Sequence, residues 1–587
     1  MAGLGEALAI VSLTGQLFSG VVQSYAFISK AQGLARDAPV AFWKLRIQEI
    51  RLRSLGHYWG IERASFEDFL RQEGLIEDVQ GILAQMKTLL EDTGKLKERY
   101  GLRKETILDP GISGPQKLIE NTSLGSTGSP KWSRKFRWAM TDAGKFDRLL
   151  LDLKELNDGL YFLLRASEQL SIGRGIESDL LREATLDSEC TNLQIACVEN
   201  QNEPRVSARI SQLPYQDLYR AAGSKQIAIE QAQQLIPPPG TSVPSTLSRM
   251  HQKDASKVKG YPKLTPSRLR VLAEFDDKPV LVEWKDIDEN SLYQPLISQR
   301  IENLAQVLAP EALKPIDFRV LDCLGYFKDA ALSRYGYIFD LPSGTILQPP
   351  LTLYDVMERG GQHENLFNLG DRFAIARSVA SSVLRLHDCG WIHTAFRSDS
   401  VLFRFRGDED AHPVLDTDKP FIMGFGYSKP SDPAESTIEF SRPNRMHDLY
   451  RHPDIISGRA NPFMAHQVRQ QQRHDLYSLG IILLEIGLWE QIKSLWKDKY
   501  THQEFLEKLL RVYVPKLGHK MGAIYRDVVH DLLVVHEEVR LNVLEVKFKM
   551  LSDRDPSDVD SILNVANHPV RELDWWDIVG RLEKCAA

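Results

Sequence analysis

Leu386-His387-Asp388-Cys389-Gly390-Trp391-Ile392-His393-Thr394-Ala395-Phe396-Arg397-Ser398-Asp399-Ser400-Val401-Leu402-Phe403 reads as the end of a helix running into a loop and then a short strand. Phe421-Ile422-Met423-Gly424-Phe425-Gly426 follows as a second short strand closed by a glycine turn. Upstream, Leu269 to Phe275, Pro279 to Trp284, Phe318 to Tyr326 and Tyr335 to Phe339 are rich in β-branched, Leu and aromatic residues and bounded by turn formers, which predicts strands. Helical periodicity takes over beyond Leu351. Short strands followed by a helix-rich half predict an α+β arrangement over residues 268–587, a small sheet lobe joined to a larger helical lobe.

Composition bounds the alternatives. The chain has 587 residues, 43% apolar and 26% charged, which excludes a wholly disordered, collagen-like or multi-spanning membrane protein. A net charge of −6 carries no basic excess, so no nucleic-acid partner is expected. Cys190, Cys197, Cys323, Cys389 and Cys585 are scattered and lack CxxC spacing, so neither a disulfide framework nor a zinc site is indicated, and a reducing cytosol fits.

The order of the C-terminal elements resembles that of a protein kinase. That family's catalytic loop, H-R-D-L-x-x-x-N, uses its Asp as base and its Asn as a magnesium ligand, and the D-F-G turn supplies a second metal ligand. Residue by residue, His393 keeps its place, Thr394 replaces the Arg, Ala395 replaces the catalytic Asp and Ser400 replaces the Asn. Gly424 stands where the D-F-G carboxylate belongs. Tyr450-Arg451-His452-Pro453-Asp454 resembles the segment closing the activation loop. His474-Asp475 through Leu484-Glu485 resembles the central helix of the large lobe, whose Asp475 would hydrogen-bond the catalytic-loop backbone. Phosphoryl transfer needs magnesium to neutralise charge and a carboxylate to orient the acceptor hydroxyl. The resemblance therefore implies a bilobal pseudokinase and no enzyme activity. An active but atypical kinase stays open, with Asp399, Asp416 or Asp418 as substitute carboxylate.

By the same resemblance, Lys285 at the end of Val280-Leu281-Val282-Glu283-Trp284-Lys285 is the candidate phosphate-contacting lysine, and Glu302 on the helical stretch Ile297 to Leu308 its ion-pair partner. A solvated surface lysine is the plainer alternative. No G-x-G-x-x-G precedes Lys285; the tight Glu274 to Pro279 turn takes the place of the phosphate-covering loop. Asp276 and Asp277 would then lie where ATP phosphates sit, so like charge disfavours nucleotide and no cofactor is expected. Ser428, Ser431, Ser436, Thr437 and Ser441 are candidate sites for an upstream kinase, although hydroxyls are ordinary in any loop.

From Ala2 to about Val198 the helical period dominates, as in Phe146, Leu149, Leu150, Leu153, Leu156, Leu160, Leu163 and Leu164. No alternating strand pattern intervenes, so residues 1–200 are expected to be all-α, with Pro110 to Pro130 a loop. Residues 201–267, with Pro237-Pro238-Pro239-Gly240, read as a linker. Arg249, Lys253, Lys257, Lys259 and Lys263 at its end suit either anionic lipid or plain solvation. Leu8 to Val22 is apolar but lacks a charged n-region and falls short of the roughly 20 residues that span a bilayer, leaving a core helix or conditional membrane insertion.

Ala2-Gly3-Leu4, Leu17-Phe18-Ser19-Gly20-Val21-Val22-Gln23-Ser24-Tyr25, Arg36-Asp37, Leu45, Arg51-Leu52, Trp59-Gly60, Lys131-Trp132 through Arg137-Trp138, and Leu156-Asn157-Asp158-Gly159-Leu160 together resemble the fungal HeLo, or prion-inhibition and propagation, domain. That resemblance implies a helical bundle whose apolar N-terminal segment can be released to disrupt membranes. Leu4, Leu8, Ile10, Val11, Leu13, Leu17 and Val21 are the inserting candidates. Burial of each would stabilise the closed bundle by roughly 1.5 to 3 kcal/mol, and lipid can offer much of that burial again. Lys131, Arg134, Lys135 and Arg137 with Trp132, Phe136 and Trp138 suit headgroups or a half-buried helix start.

The two resemblances together imply a regulated cell-death or heterokaryon-incompatibility effector, similar in logic to the mixed-lineage-kinase-like proteins of animal necroptosis, in which a pseudokinase restrains a membrane-disrupting bundle. It would be cytoplasmic, moving to the plasma membrane when activated, with membrane lipid, a second copy of its helical domain and an upstream kinase or sensor as partners. A signalling scaffold that oligomerises and never meets membrane is the other class. No Asn/Gln-rich tract points to amyloid templating within the chain.

Overall fold

The structure is a computed structural model describing residues 2–29, 34–61, 75–106, 136–140, 142–201, 215–234, 252–260, 269–287, 294–309, 314–315, 317–358, 367–407, 413–431, 444–460, 471–534 and 573–585. The chain divides into two compact units, residues 1–184 with 191–216, and residues 185–190 with 217–587.

The first unit contains α1 (Ala2–Ser29), α2 (Leu34–Asp37), α3 (Pro39–Trp59), α4 (Ile76–Glu91), α5 (Thr93–Glu98), β1 (Leu102–Thr106), β2 (Phe136–Met140), α6 (Ala143–Phe162), α7 (Ala166–Glu183) and most of α8 (Asp187–Gln201). α6 starts at Asp142, whose carboxylate accepts the Lys145 backbone N–H at 3.0 Å. It buries Phe146, Leu149, Leu150, Leu153 and Leu160, the face its spacing predicts. The all-α expectation is corrected by β1 and β2, which pair antiparallel from Leu102↔Met140 to Thr106↔Phe136. Cross-strand pairing overrides the local reading here, so Arg137 and Trp138 lie in a strand, not at a helix start. Lys131, Trp132, Arg134 and Lys135 lie outside the described residues, as does the Pro110 to Pro130 loop.

α1 packs on α3 and α4 through Thr14, Phe18, Val21, Tyr25 and Ile28, spaced by threes and fours. Of the inserting candidates, Val21 is buried and Leu17 half-buried. Leu13 is 48% exposed, a correction to the expected burial, because the buried Thr14 beside it turns Leu13 to the outer face. The side chains of Leu4, Leu8, Ile10 and Val11 lie outside what is described. No helix among the described residues is long and apolar enough to cross a membrane.

The stretch read as a linker holds α9 (Tyr215–Gln234) and β3 (Val258–Gly260). This corrects the 201–267 assignment: α9 buries Leu218, Ala221, Ala222 and Ala228, and β3 joins a sheet. Its basic cluster is partly neutralised, since Lys257 pairs with Asp276 at 3.1 Å and Lys259 with Glu274 at 3.8 Å.

The second unit's sheet runs β3-β4-β5-β7-β6, with β4 (Arg270–Phe275), β5 (Lys278–Asp286), β6 (Cys323–Asp329) and β7 (Arg334–Asp340), every neighbour antiparallel. α10 (Gln294–Val307) packs on β6. β4 and β5 are joined by Asp276-Asp277 at φ 46° and 61°, the positive values a two-residue hairpin turn of this hand requires. The turn pairs Phe275 with Lys278, Leu272 with Leu281 and Arg270 with Glu283. Ala273, Phe275, Val280, Val282, Phe327 and Ile338 form the core on one face. The period of two sends Arg270, Leu272, Leu281, Glu283 and Lys285 to the other.

The helical part contains β8 (Leu351–Thr352), α11 (Leu353–Glu358), α12 (Leu369–Asp388), β9 (Trp391–Ile392), β10 (Val401–Phe403), β11 (Phe421–Ile422), α13 (Gln472–Leu488), α14 (Ala523–Val534) and α15 (Trp575–Leu582). α13 is buried from His474 to Leu488, with α12 and α14 against it. α12 is fixed at its start by a capping box between Asn368 and Asp371.

Candidate functional site

α13 opens with Asp475, whose buried carboxylate organises the loop between β9 and β10. It accepts the backbone N–H of His393 at 2.6 Å and of Thr394 at 2.8 Å, the contact expected of it. His387 Nε2 lies 3.2 Å from the same carboxylate. Burial works to raise the Asp475 pKa, yet the His387 hydrogen bond and the nearby charge hold it below the ordinary carboxylate value.

His393 and Ser400 of this loop meet Gly424, while Ala395 is buried elsewhere in the loop. His393 is fully buried and its Nε2 lies 3.0 Å from the Met423 carbonyl. Burial pushes its pKa down, so the ring is neutral and Nε2–H is the donor. Met423 N–H donates to the Ser400 carbonyl at 2.8 Å. Gly424 has φ 94°, and a β-carbon there would fall 2.9 Å from Ser400 Oγ and 3.4 Å from Arg270 Nη2. Glycine is thus required twice over, by backbone conformation and by space.

Sequence reasoning missed the two residues that fill this site. Glu283 is 3% exposed, and its carboxylate accepts Gly424 N–H at 2.9 Å and Phe425 N–H at 3.0 Å. Arg270 Nε donates to it at 2.9 Å, and Arg270 Nη1 donates to the Asp399 carbonyl at 2.8 Å. The signal was present: an acidic residue between Val282 and Trp284, and a two-residue turn that pairs positions 270 and 283.

Other expectations shift. Lys285 is buried, with Nζ donating to the Gly426 carbonyl and lying 4.8 Å from the Tyr427 ring centroid. Among the described residues no ion pair joins it to Glu302, whose charge lies beside Tyr326 and, after burial, helps push that phenol up to about 12. Asp276 and Asp277 are exposed at the β4–β5 turn, the end of the hairpin away from Glu283 and Lys285. Asp399 is held by Arg397 at 2.9 Å, and the fully buried Asp416 by Arg404 at 3.1 Å. Ser428 is buried with Oγ 3.4 Å from the His393 carbonyl, whereas Ser436, Thr437 and Ser441 lie outside the described residues.

Beyond the Arg270–Glu283 pair, Leu272, Leu281, Leu321, Leu341, Leu402 and Phe421 line a narrow apolar cleft of about 20 Å³. On the far side of the loop, Tyr450 donates to Glu485 Oε1 at 2.8 Å and meets Ser398 Oγ at 2.7 Å. Burial pushes the Glu485 pKa up to about 8.

Comparison with known proteins gives two matches. A family model described as Domain of unknown function (DUF7580) matches residues 339–555, a span that includes His393, Gly424 and Asp475 but not Arg270, Glu283 or Lys285. No curated protein matches the chain. The HeLo family model, described as Prion-inhibition and propagation, matches residues 5–194, in support of the resemblance of the N-terminal region to that domain.

Proposed function

We propose that the HeLo domain is the acting part of a regulated cell-death or incompatibility effector, and that residues 268–587 form a kinase-like part that restrains it without transferring phosphate. The observation carrying the silent site is the Arg270–Glu283 pair. Arg270 is neutralised by a carboxylate fixed on the Gly424 and Phe425 amides, and Gly424 has no room for a metal-binding side chain. Support for kinase-like architecture comes from the antiparallel sheet with Lys285 on its third strand, the helix α10 that follows, and the Asp475 contacts to the loop. Of the three substitute carboxylates for an atypical kinase, Asp399 and Asp416 are engaged by arginines, which argues against those two and leaves Asp418.

For the HeLo half, α1 presents apolar residues on two sides, with Phe18 and Val21 inward and Leu13 and Phe27 exposed. Such a helix exchanges protein for lipid at modest cost. In this reading the protein is cytoplasmic at rest; after activation it associates through its helical domain and meets membrane lipid. Dye release from anionic vesicles by the full chain tests it. Wild type should leak little, Gly56→Val should leak strongly because it displaces Phe18, and adding Leu8→Glu should abolish leakage. Intact vesicles with a folded Gly56→Val protein would turn the reading to a scaffold.

A further inference from the structure

Two consecutive backbone N–H groups aimed at one point form a concavity suited to an anion. Gly424 and Phe425 make such a concavity, Arg270 adds a guanidinium to its wall, and its occupant is a side chain of the protein itself. Each feature is over-determined. Gly424 holds the left-handed conformation that turns its N–H inward, and Arg270 is anchored from behind by the Asp399 carbonyl. Glu283 is delivered by the middle of β5, between Val282 and Trp284, where the register against β4 and β7 turns it to this face.

We propose that Gly424, Phe425 and Arg270 form an oxyanion site whose resident ligand is the Glu283 carboxylate, and that a phosphate-type oxyanion binds there when Glu283 is withdrawn. The groups facing the occupant are donors or cations: two amides, one guanidinium, and the neutral His393 ring near Gly424. Lys285, two positions along the same strand face, stays on the Gly426 carbonyl and adds positive potential without contacting Glu283. A tetrahedral oxyanion has the charge and the acceptor atoms to replace both carboxylate oxygens. The inference rests on the reading of this site as catalytically silent, because a resident carboxylate is what keeps it closed to substrate phosphate.

The test is thermal melting of the full chain against inorganic phosphate, with chloride at matched ionic strength as reference. Wild type, Glu283→Ala, Glu283→Gln and Glu283→Ala with Arg270→Ala are compared. Phosphate should raise the Tm of Glu283→Ala, by about 3 °C at a hundredfold excess over its dissociation constant and further with the logarithm of its concentration. Glu283→Gln, which puts an amide donor among donors, should respond in the same direction. Wild type and the double variant should not respond. If the single variants show no cooperative transition in chloride, phosphate should restore one. AMP in a parallel arm identifies the source: a larger shift than phosphate places the phosphoryl group on a nucleoside, and an equal shift leaves the free anion. Equal responses in wild type and Glu283→Ala, or neither a shift nor a restored transition in any variant, would overturn the proposal. The silent-site reading fails separately, on magnesium-dependent incorporation of labelled phosphate by wild type.

Discussion

Asp475 holds the backbone N–H of Thr394 at 2.8 Å while Thr394 sits at φ 64°, a conformation that β-branched residues rarely adopt. The Thr394 hydroxyl also donates to the Tyr427 carbonyl at 2.7 Å, so the strained residue is gripped from both sides. Asp475→Ala leaves the buried amides of His393 and Thr394 without their acceptor. It should cost about 3 kcal/mol, read as a shift in denaturant midpoint at unchanged m-value. Thr394→Val, which keeps the strain and loses the hydroxyl bond, should cost about 1 kcal/mol.

Gly424→Asp should not restore phosphoryl transfer, even with Ala395→Asp and Ser400→Asn beside it. The new side chain must enter space beside Arg270 that the side chain at position 400 also takes up, on a backbone at φ 94°. Incorporation of labelled phosphate should stay at background in the triple variant, and its Tm should fall below wild type. Activity in that variant would refute the steric account.

The Glu485 carboxyl, unfolded near its ordinary 4.5 and folded at about 8, is protonated in the native protein at neutral pH. A folded pKa above the unfolded one contributes stability that is full below pH 4.5 and is lost as pH rises through 8. The loss amounts to about 5 kcal/mol. Glu485→Gln keeps a neutral acceptor for Tyr450 and removes the titration. Between pH 5 and pH 8.5 its stability should fall less steeply than that of wild type, as pH-resolved melts would register.

In the first unit, Arg51 is buried against Asp158 at 2.7 Å, with its guanidinium 4.7 Å over the Tyr161 ring. Asp158→Ala should destabilise by about 4 kcal/mol, because it strands a buried cation. Arg51→Met combined with Asp158→Ala should recover only part of that loss, because the buried Lys154, which pairs with the same carboxylate at 2.8 Å, still loses it; the cycle of the two single variants and the pair measures the coupling.

Strand and helix positions that follow from periodicity were legible in the sequence: β4, β5, β7 and α6 lie where their residue patterns place them. β1 and β2 were not, because their ladder is set by pairing across a long sequence separation. α9 was hidden by the proline-rich composition that follows it, although Leu218, Ala221 and Ala222 carry its spacing. The positions of His393, Ser400 and Gly424 followed from motif order. Glu283 escaped notice because a charged residue in a strand reads as solvent-facing until its partner Arg270 is located across the hairpin.

The turn at Asp276-Asp277 lies six residue pairs from Arg270 and Glu283, about 20 Å along the strands. The register that starts there nonetheless decides what meets Gly424. A one-residue slip of β5 against β4 and β7 would turn Val282 and Trp284 toward the cleft and Glu283 toward the core. What occupies the Gly424 and Phe425 amides is thus a property of counting: one register delivers a carboxylate, and its neighbour would deliver hydrocarbon.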